Sequence, residues 1–184
     1  TAIITTTGFV SADFEAWALP AQGILLLLLF TGGMAGSTGG GVKALRVMLL
    51  LKHVKNELNK LLHPRAVLLV RVGRKVVRED IMAHVLGFVI LYALLFMAGA
   101  LVLTFFGIDL LTALGASAAT VGNIGPGLGA VGATDNYGWM SSGVLTFLSF
   151  LMLVGRLEIY TVLVLFSPAL WKQARHNSVH RVNR

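Results

Sequence analysis

Two short stretches decide how this chain is read: Thr5-Thr6-Thr7-Gly8-Phe9 and Gly122-Asn123-Ile124-Gly125-Pro126. Each is polar, carries glycine, and stands in the approach to a long apolar run. At bilayer depth such a turn is costly, because a carbonyl left unpaired in hydrocarbon loses several kcal/mol. It persists there when its carbonyls face water or an ion. Rings of carbonyls that replace a hydration shell are how cation filters work. The pair reads as two quarters of a cation pore.

Composition agrees. The 184 residues are 56% hydrophobic and 12% charged, with a mean hydropathy of +0.81. Soluble domains run about 45–50% apolar and about 25% charged, so this is the composition of an integral membrane protein. Without cysteine there is neither a disulfide framework nor a thiolate metal site. No signal peptide stands at the start. The chain opens without an initiator methionine or a leading apolar segment, and reads as the C-terminal piece of a longer protein.

The net charge of +7 is concentrated in Lys43–Arg78 and in a tail of Lys172, Arg175, Arg181 and Arg184. Cationic loops stay on the cytoplasmic side, which puts both inside the cell and predicts a cytoplasmic C-terminus. Flanking apolar spans argue against nucleic acid as the partner of this charge. Loops left outside carry Asp13, Glu15, Asp109 and Asp135, a field that would concentrate cations at an outer mouth.

Between these landmarks the chain reads as all-α. Pro20 sits well in a helix's first turn, and Ala21–Phe30 is apolar but shorter than the ~20 residues of a span. The glycine-rich TGGMAGSTGGG (31–41) interrupts it before a basic amphipathic helix over Val42–Leu62. The whole reads as one broken helix with a loop inside the membrane, the kind that marks ion sites. His63-Pro64 ends it. Ala66–Val77 alternates apolar and basic residues and should lie at the cytoplasmic surface. Ile81–Phe106 is a span, Asp109–Ala119 a re-entrant helix too short to cross, and Trp139 to about Phe166 the last span. Trp17 and Trp139 are outer interface anchors and Trp171 an inner one.

Aligning Gly8 on Gly125 superposes the two turns, and glycine there permits the positive φ that lets successive carbonyls face one way. A second register, with Thr120-Val121-Gly122 as the filter, stays open on the residues alone. The same alignment places Arg156 on Gly39. Arginine in mid-span costs at least ~2.5 kcal/mol unless it faces a polar cavity. Its five donors could hold loop carbonyls freed by the broken helix, and a cation in a cation path is a barrier. Arg156 and the glycine loop therefore read as a gate, with the loop as a plug under the filter. GxxxxGK[ST] is not satisfied, since Val42 separates Gly41 from Lys43 and no strand precedes. A membrane hydrolase using Ser37 or a histidine, and a non-conducting anchoring subunit, are the rival readings. His53, His63, His84, His176 and His180 all fall toward the cytoplasmic side, and no triad or metal-spaced cluster assembles.

GGMAGSTGGGVK (32–43), SAATVGNIGPGLG (117–129) and GRLEIYTVLVLFSPALW (155–171) resemble the closing half of a TrkH-type bacterial K⁺ uptake subunit, of the Trk/Ktr/HKT superfamily. The likeness covers nearly all of Thr1 to Lys172. It implies four M1–P–M2 pore repeats in one chain, as in K⁺ channels, with a broken M2 helix here. Residues 1–62 would end the third repeat, 63–80 form a basic linker, 81–171 make the fourth, and 172–184 a tail. The resemblance favours Gly125 over Gly122. It implies K⁺-coordinating carbonyls from Thr6, Thr7 and Gly8 and from Asn123, Ile124 and Gly125, with K⁺ held at the filter only and no covalent cofactor. It implies a gating loop with Gly36, Gly39, Gly40, Gly41 and Lys43, and Arg156 as the basic residue beneath the filter. It also implies K⁺ transport across the bacterial inner membrane and no enzymatic activity. The implied partners are the remaining two pore repeats, a homodimer mate, and a TrkA-like nucleotide-binding ring on Lys43–Arg78, with membrane lipid competing there.

Overall fold

The structure is a computed structural model that describes residues 2–34, 36–37, 39–63, 69–73, 75–157 and 160–162. Thr38, Pro64, Arg65, Arg74, Glu158, Pro168, Trp171 and the basic tail with His176 and His180 lie outside the described residues.

Five helices carry the fold. Helix α1 (Leu19–Phe30) has Pro20 in its first turn, as expected. It leads into strand β1 (Thr31–Gly32), which pairs in parallel with β2 (Val42–Lys43), Thr31 opposite Val42 and Gly32 opposite Lys43. This bridge closes the glycine loop at its neck before α2 (Ala44–Leu62) resumes, and His63 caps α2. Gly32 permits the closure, because a side chain there would run into the Gly40 carbonyl.

Between α2 and the next helix, β3 (Arg71–Val72) and β4 (Lys75–Val76) form a small antiparallel hairpin. Gly73 turns it at φ +60°, and Lys52 Nζ donates to the Arg71 carbonyl at 2.7 Å. The alternating stretch thus becomes a surface hairpin docked on α2.

Helix α3 (Glu79–Phe105) is 27 residues with mean hydropathy 2.6 in its most apolar window. At about 1.5 Å per residue it is roughly 40 Å long, more than the ~30 Å hydrocarbon core. Among the described helices it alone is long and apolar enough to cross a bilayer. Ile90, Leu94, Met97, Leu101 and Phe105 leave an exposed apolar stripe along it.

Helix α4 (Leu110–Val121) is short, as expected, and almost wholly buried. Asp109 is its N-cap and accepts from the Thr112 amide at 3.0 Å, satisfying a donor that a helix start leaves orphaned. A run of alanine and glycine lets α4 wedge between α3 and α5 (Ser142–Arg156). Buried Ser117 donates to the Phe96 carbonyl at 2.7 Å across the seam, where Gly99 leaves the room. Leu103, Val121, Val144, Leu148 and Leu151 pack the core here.

Within the stretch expected to be the last span, helix α5 covers Ser142–Arg156 with Leu157 as its C-cap; residues 158–159 and 163–166 lie outside the described residues. Gly155 weakens the helix just there, and a side chain at this position would run into the Val121 carbonyl. Residues 160–162 are helical again, and Tyr160 Oη donates to the His84 carbonyl at 3.2 Å.

Candidate site: two left-handed turns above a basic cavity

The two turns share a backbone. Thr6 and Asn123, at φ 53° and 54°, are the residues other than glycine with positive φ among those described. Gly8 and Gly125 follow two positions later at φ +74° and +105°. In both turns a residue of negative φ thus lies between two of positive φ. Their amides look back to matching acceptors. Thr6 and Thr7 donate to the Ile3 and Ala2 carbonyls at 3.1 and 3.0 Å; Asn123 and Ile124 donate to Thr120 and Ala119 at 3.1 and 2.9 Å. Among the described residues, no hydrogen bond reaches the carbonyls of Thr6, Thr7, Gly8, Asn123 or Ile124.

The register left open by the residues has a clear backbone counterpart. Gly122 is right-handed at φ −73°, ψ −14°, as the C-cap of α4. The left-handed glycine of the second turn is Gly125. Gly8 lies against the second turn, close to the Ile124 carbonyl and 3.3 Å, measured from an added Cβ, from Pro126.

The glycine loop packs beneath both turns. A side chain at Gly39 would meet Thr6 Oγ1, and one at Gly40 would meet the Gly122 carbonyl and Asn123 Cβ. Below them a cavity of about 310 Å³ is lined by Ser37, Gly39, Gly40, Gly41, Lys43, Arg46, Phe88, Gly155 and Arg156. Five of the six expected gating residues thus share one cavity. Gly36 does not; it is exposed, at φ +89°, with open space around it. Arg156 lines the cavity together with the loop.

Sequence reasoning passed over Arg46 and Phe88. The Arg46 guanidinium stacks on the Phe88 ring at 3.9 Å, a cation–π contact. Its place one turn beyond Lys43 was a signal, since residues three apart share a helix face. Phe88 offered none.

The expected acidic mouth divides. Glu15 packs against Gly132, and burial, then Asp135 and Asp13, push its carboxyl above the usual range. Asp109 is a helix cap, and hydrogen bonds from the Thr112 side chain and amide hold it below the usual range. Trp17 and Trp139 are both about half exposed, and Trp139 Nε1 donates to the Ala130 carbonyl at 3.1 Å.

The family model described as TrkH, cation transport protein, matches residues 1–173. This chain belongs to the TrkH family. It is 41% identical over 169 residues to the Trk system potassium uptake protein TrkH of Salmonella typhimurium, and 42% identical over 171 residues to that of Halomonas elongata. These alignments take in 92% and 93% of this chain and 35% of each relative. The crystal structure of the potassium transporter TrkH from Vibrio parahaemolyticus superposes with a TM-score of 0.83 at 41% identity, over 92% of this chain and 36% of that one. The mostly helical fold is therefore that of a TrkH membrane protein, and the chain spans about a third of the length of the relatives it matches.

Proposed function

We propose that this TrkH-family chain forms half of a potassium pore in the bacterial inner membrane, as the closing part of a channel-like uptake subunit. One observation carries the reading: two turns with the same pair of positive-φ residues and the same amide acceptors lie together above a cavity lined by the glycine loop and Arg156. A backbone of that kind, with its amides spent on the preceding residues, offers its carbonyls to a dehydrated cation.

K⁺ would gather at the outer mouth near Asp13, Glu15 and Asp135 and shed water at the carbonyls of Thr6, Thr7 and Gly8 and of Asn123, Ile124 and Gly125. It would then enter the cavity, where Lys43, Arg46 and Arg156 oppose it. Two like charges about 4 Å apart repel by about 4 kcal/mol at an effective dielectric of about 20, so the cavity is a barrier until its charge or its glycine walls move. Gly39, Gly40, Gly41, Lys43 and Arg156 form the gate in this reading, and Gly36 is left out of it. Residues 1–62 close a third pore repeat and 81–171 form the fourth, joined by the basic linker, with residues 172–184 as a cytoplasmic tail. The partners are two further repeats, a second subunit, and a nucleotide-binding ring or anionic lipid on the basic face. K⁺ is cargo, and no bond is made or broken.

Uptake of K⁺ or Rb⁺ by the full-length protein in liposomes is the test. The unsubstituted protein should carry either ion, and Arg156→Ala should raise the flux several-fold at equal reconstitution. A protein that passes neither ion would sink the proposal. Unchanged or lower flux in Arg156→Ala would remove the gate while leaving the pore.

A further inference from the structure

The second turn is held by two side-chain hydrogen bonds, one from its own Asn123 out to α5 and one from Tyr137 of the outer loop. Asn123 Nδ2 donates to the Met152 carbonyl in α5 at 3.0 Å. Tyr137 Oη donates to the Gly125 carbonyl at 2.8 Å. Neither group needs to touch an ion to matter. The first bond fixes a residue that is already in a left-handed conformation, which asparagine tolerates better than most side chains. The second commits part of one carbonyl's acceptor capacity to a phenol and fixes the direction in which that carbonyl points.

The Tyr137 anchor is itself anchored. Asp109 caps α4 at Thr112, Thr112 Oγ1 accepts from the Ala130 amide at 3.0 Å, and the Ala130 carbonyl accepts from Trp139 Nε1. Gly127 donates to Val131 at 2.7 Å within the same loop. The loop that carries Tyr137 is thus tied to the helix that carries the turn. Burial holds the phenol well above its ordinary titration range, so it stays a donor at any physiological pH. The inner end is tied as firmly: Gly155 lies against the Val121 carbonyl, beside Arg156.

Equivalent positions in the first turn are different. Thr6 stands where the second turn has Asn123, and Pro20, which has no hydroxyl, where it has Tyr137. The Thr5 and Thr7 hydroxyls bond each other there, 2.7 Å apart.

On the reading of these turns as a potassium filter, we propose that Asn123 and Tyr137 are positioning residues that set the ion preference of the second turn. Asn123 fixes its inner end to α5 and Tyr137 fixes its outer carbonyl. Discrimination between K⁺ and the smaller Na⁺ requires carbonyls that do not close in on the smaller ion. The two side-chain bonds supply that resistance at the second turn.

The full-length protein in liposomes, assayed for K⁺ and Na⁺ uptake side by side, tests this. Tyr137→Phe removes only the donor. Asn123→Gly removes the amide but keeps the left-handed backbone accessible. Each should raise the Na⁺/K⁺ uptake ratio about three- to tenfold, the fold-change that one hydrogen bond of ordinary net worth corresponds to; K⁺ uptake should persist in Tyr137→Phe, whereas Asn123→Gly lies in the filter and is read by the ratio alone. An unchanged ratio in either variant overturns the proposal. So does a parallel fall in both ions, which is what a merely structural bond would give. If the unsubstituted protein carries no K⁺, the pore reading fails; if it carries K⁺ with an unaltered ratio in the variants, only the anchors fail.

Discussion

The two turns have one backbone and two kinds of support. The first is crowded: its Thr5 and Thr7 hydroxyls bond each other, and Gly8 is wedged against the Ile124 carbonyl and Pro126. The second is open around its glycine, with nothing within 4 Å of a Cβ added at Gly125. It relies instead on Asn123, which reaches out from the turn to α5, and on Tyr137, which reaches in from the outer loop. Backbone geometry repeats along this chain because each turn returns its amides to the residues just before it. Side-chain support does not repeat, because it depends on what happens to pack nearby. The same substitution should therefore have unequal effects at matched positions.

Glycine replacement separates the turns most sharply. Gly8→Ser adds a side chain that collides with backbone and forces a left-handed conformation, so K⁺ uptake should fall by more than about 100-fold. Gly125→Ser meets open space and carries only the conformational cost of about 1–2 kcal/mol, roughly a tenfold loss in apparent affinity. Concentration-dependent Rb⁺ uptake by both variants checks this, and equal losses would break the comparison.

The loop below offers a second contrast of intermediate size. Gly40→Ala places a methyl against the Gly122 carbonyl and Asn123 Cβ, whereas Gly36→Ala faces open space at φ +89°. Gly40→Ala should lower both thermal stability and flux by several-fold in flux terms, and Gly36→Ala should lower stability by about 1 kcal/mol without altering the K⁺ preference. A Gly36→Ala variant as impaired in conduction as Gly40→Ala would return Gly36 to the gate.

The smallest effect concerns acid. Asp109 is held below its ordinary range by Thr112. A depressed carboxylate contributes stability above its unfolded value of about 3.9 and loses it as pH falls through the lower folded value. Removing the cap by Asp109→Ala should cost about 1 kcal/mol at neutral pH, and the difference from the parent should vanish on acidification below about pH 4. Melting temperatures in detergent at pH 7 and pH 3 measure this. Because Asp109 and Thr112 support the loop that carries Tyr137, the loss should be felt at the second turn. A constant gap across that pH range would detach the cap from the carboxylate's charge.

Much of the fold was legible because its signals are local. Glycine-rich polar strings between apolar runs mark the breaks, Pro20 and Asp109 mark helix starts, and the length of Asp109–Ala119 excludes a crossing. The pairing of Arg156 with the glycine loop was also legible, through the alignment of Gly8 on Gly125, and both line one cavity. The close approach of the Val121 carbonyl to Gly155 was not. Arg46 read as one more cytoplasmic cation until Phe88 was found beneath it.

By itself, then, the sequence determined where the chain turns and where it runs apolar, because backbone polarity and glycine's freedom act within a few residues. Tertiary structure alone decided how those turns are held and what they face: the handedness of Gly125 against that of Gly122, the parallel bridge closing the glycine loop, and the reach of Tyr137 and Asn123. Such bonds join residues far apart in sequence. Neither partner's identity specifies the other until packing has placed them within about 3 Å.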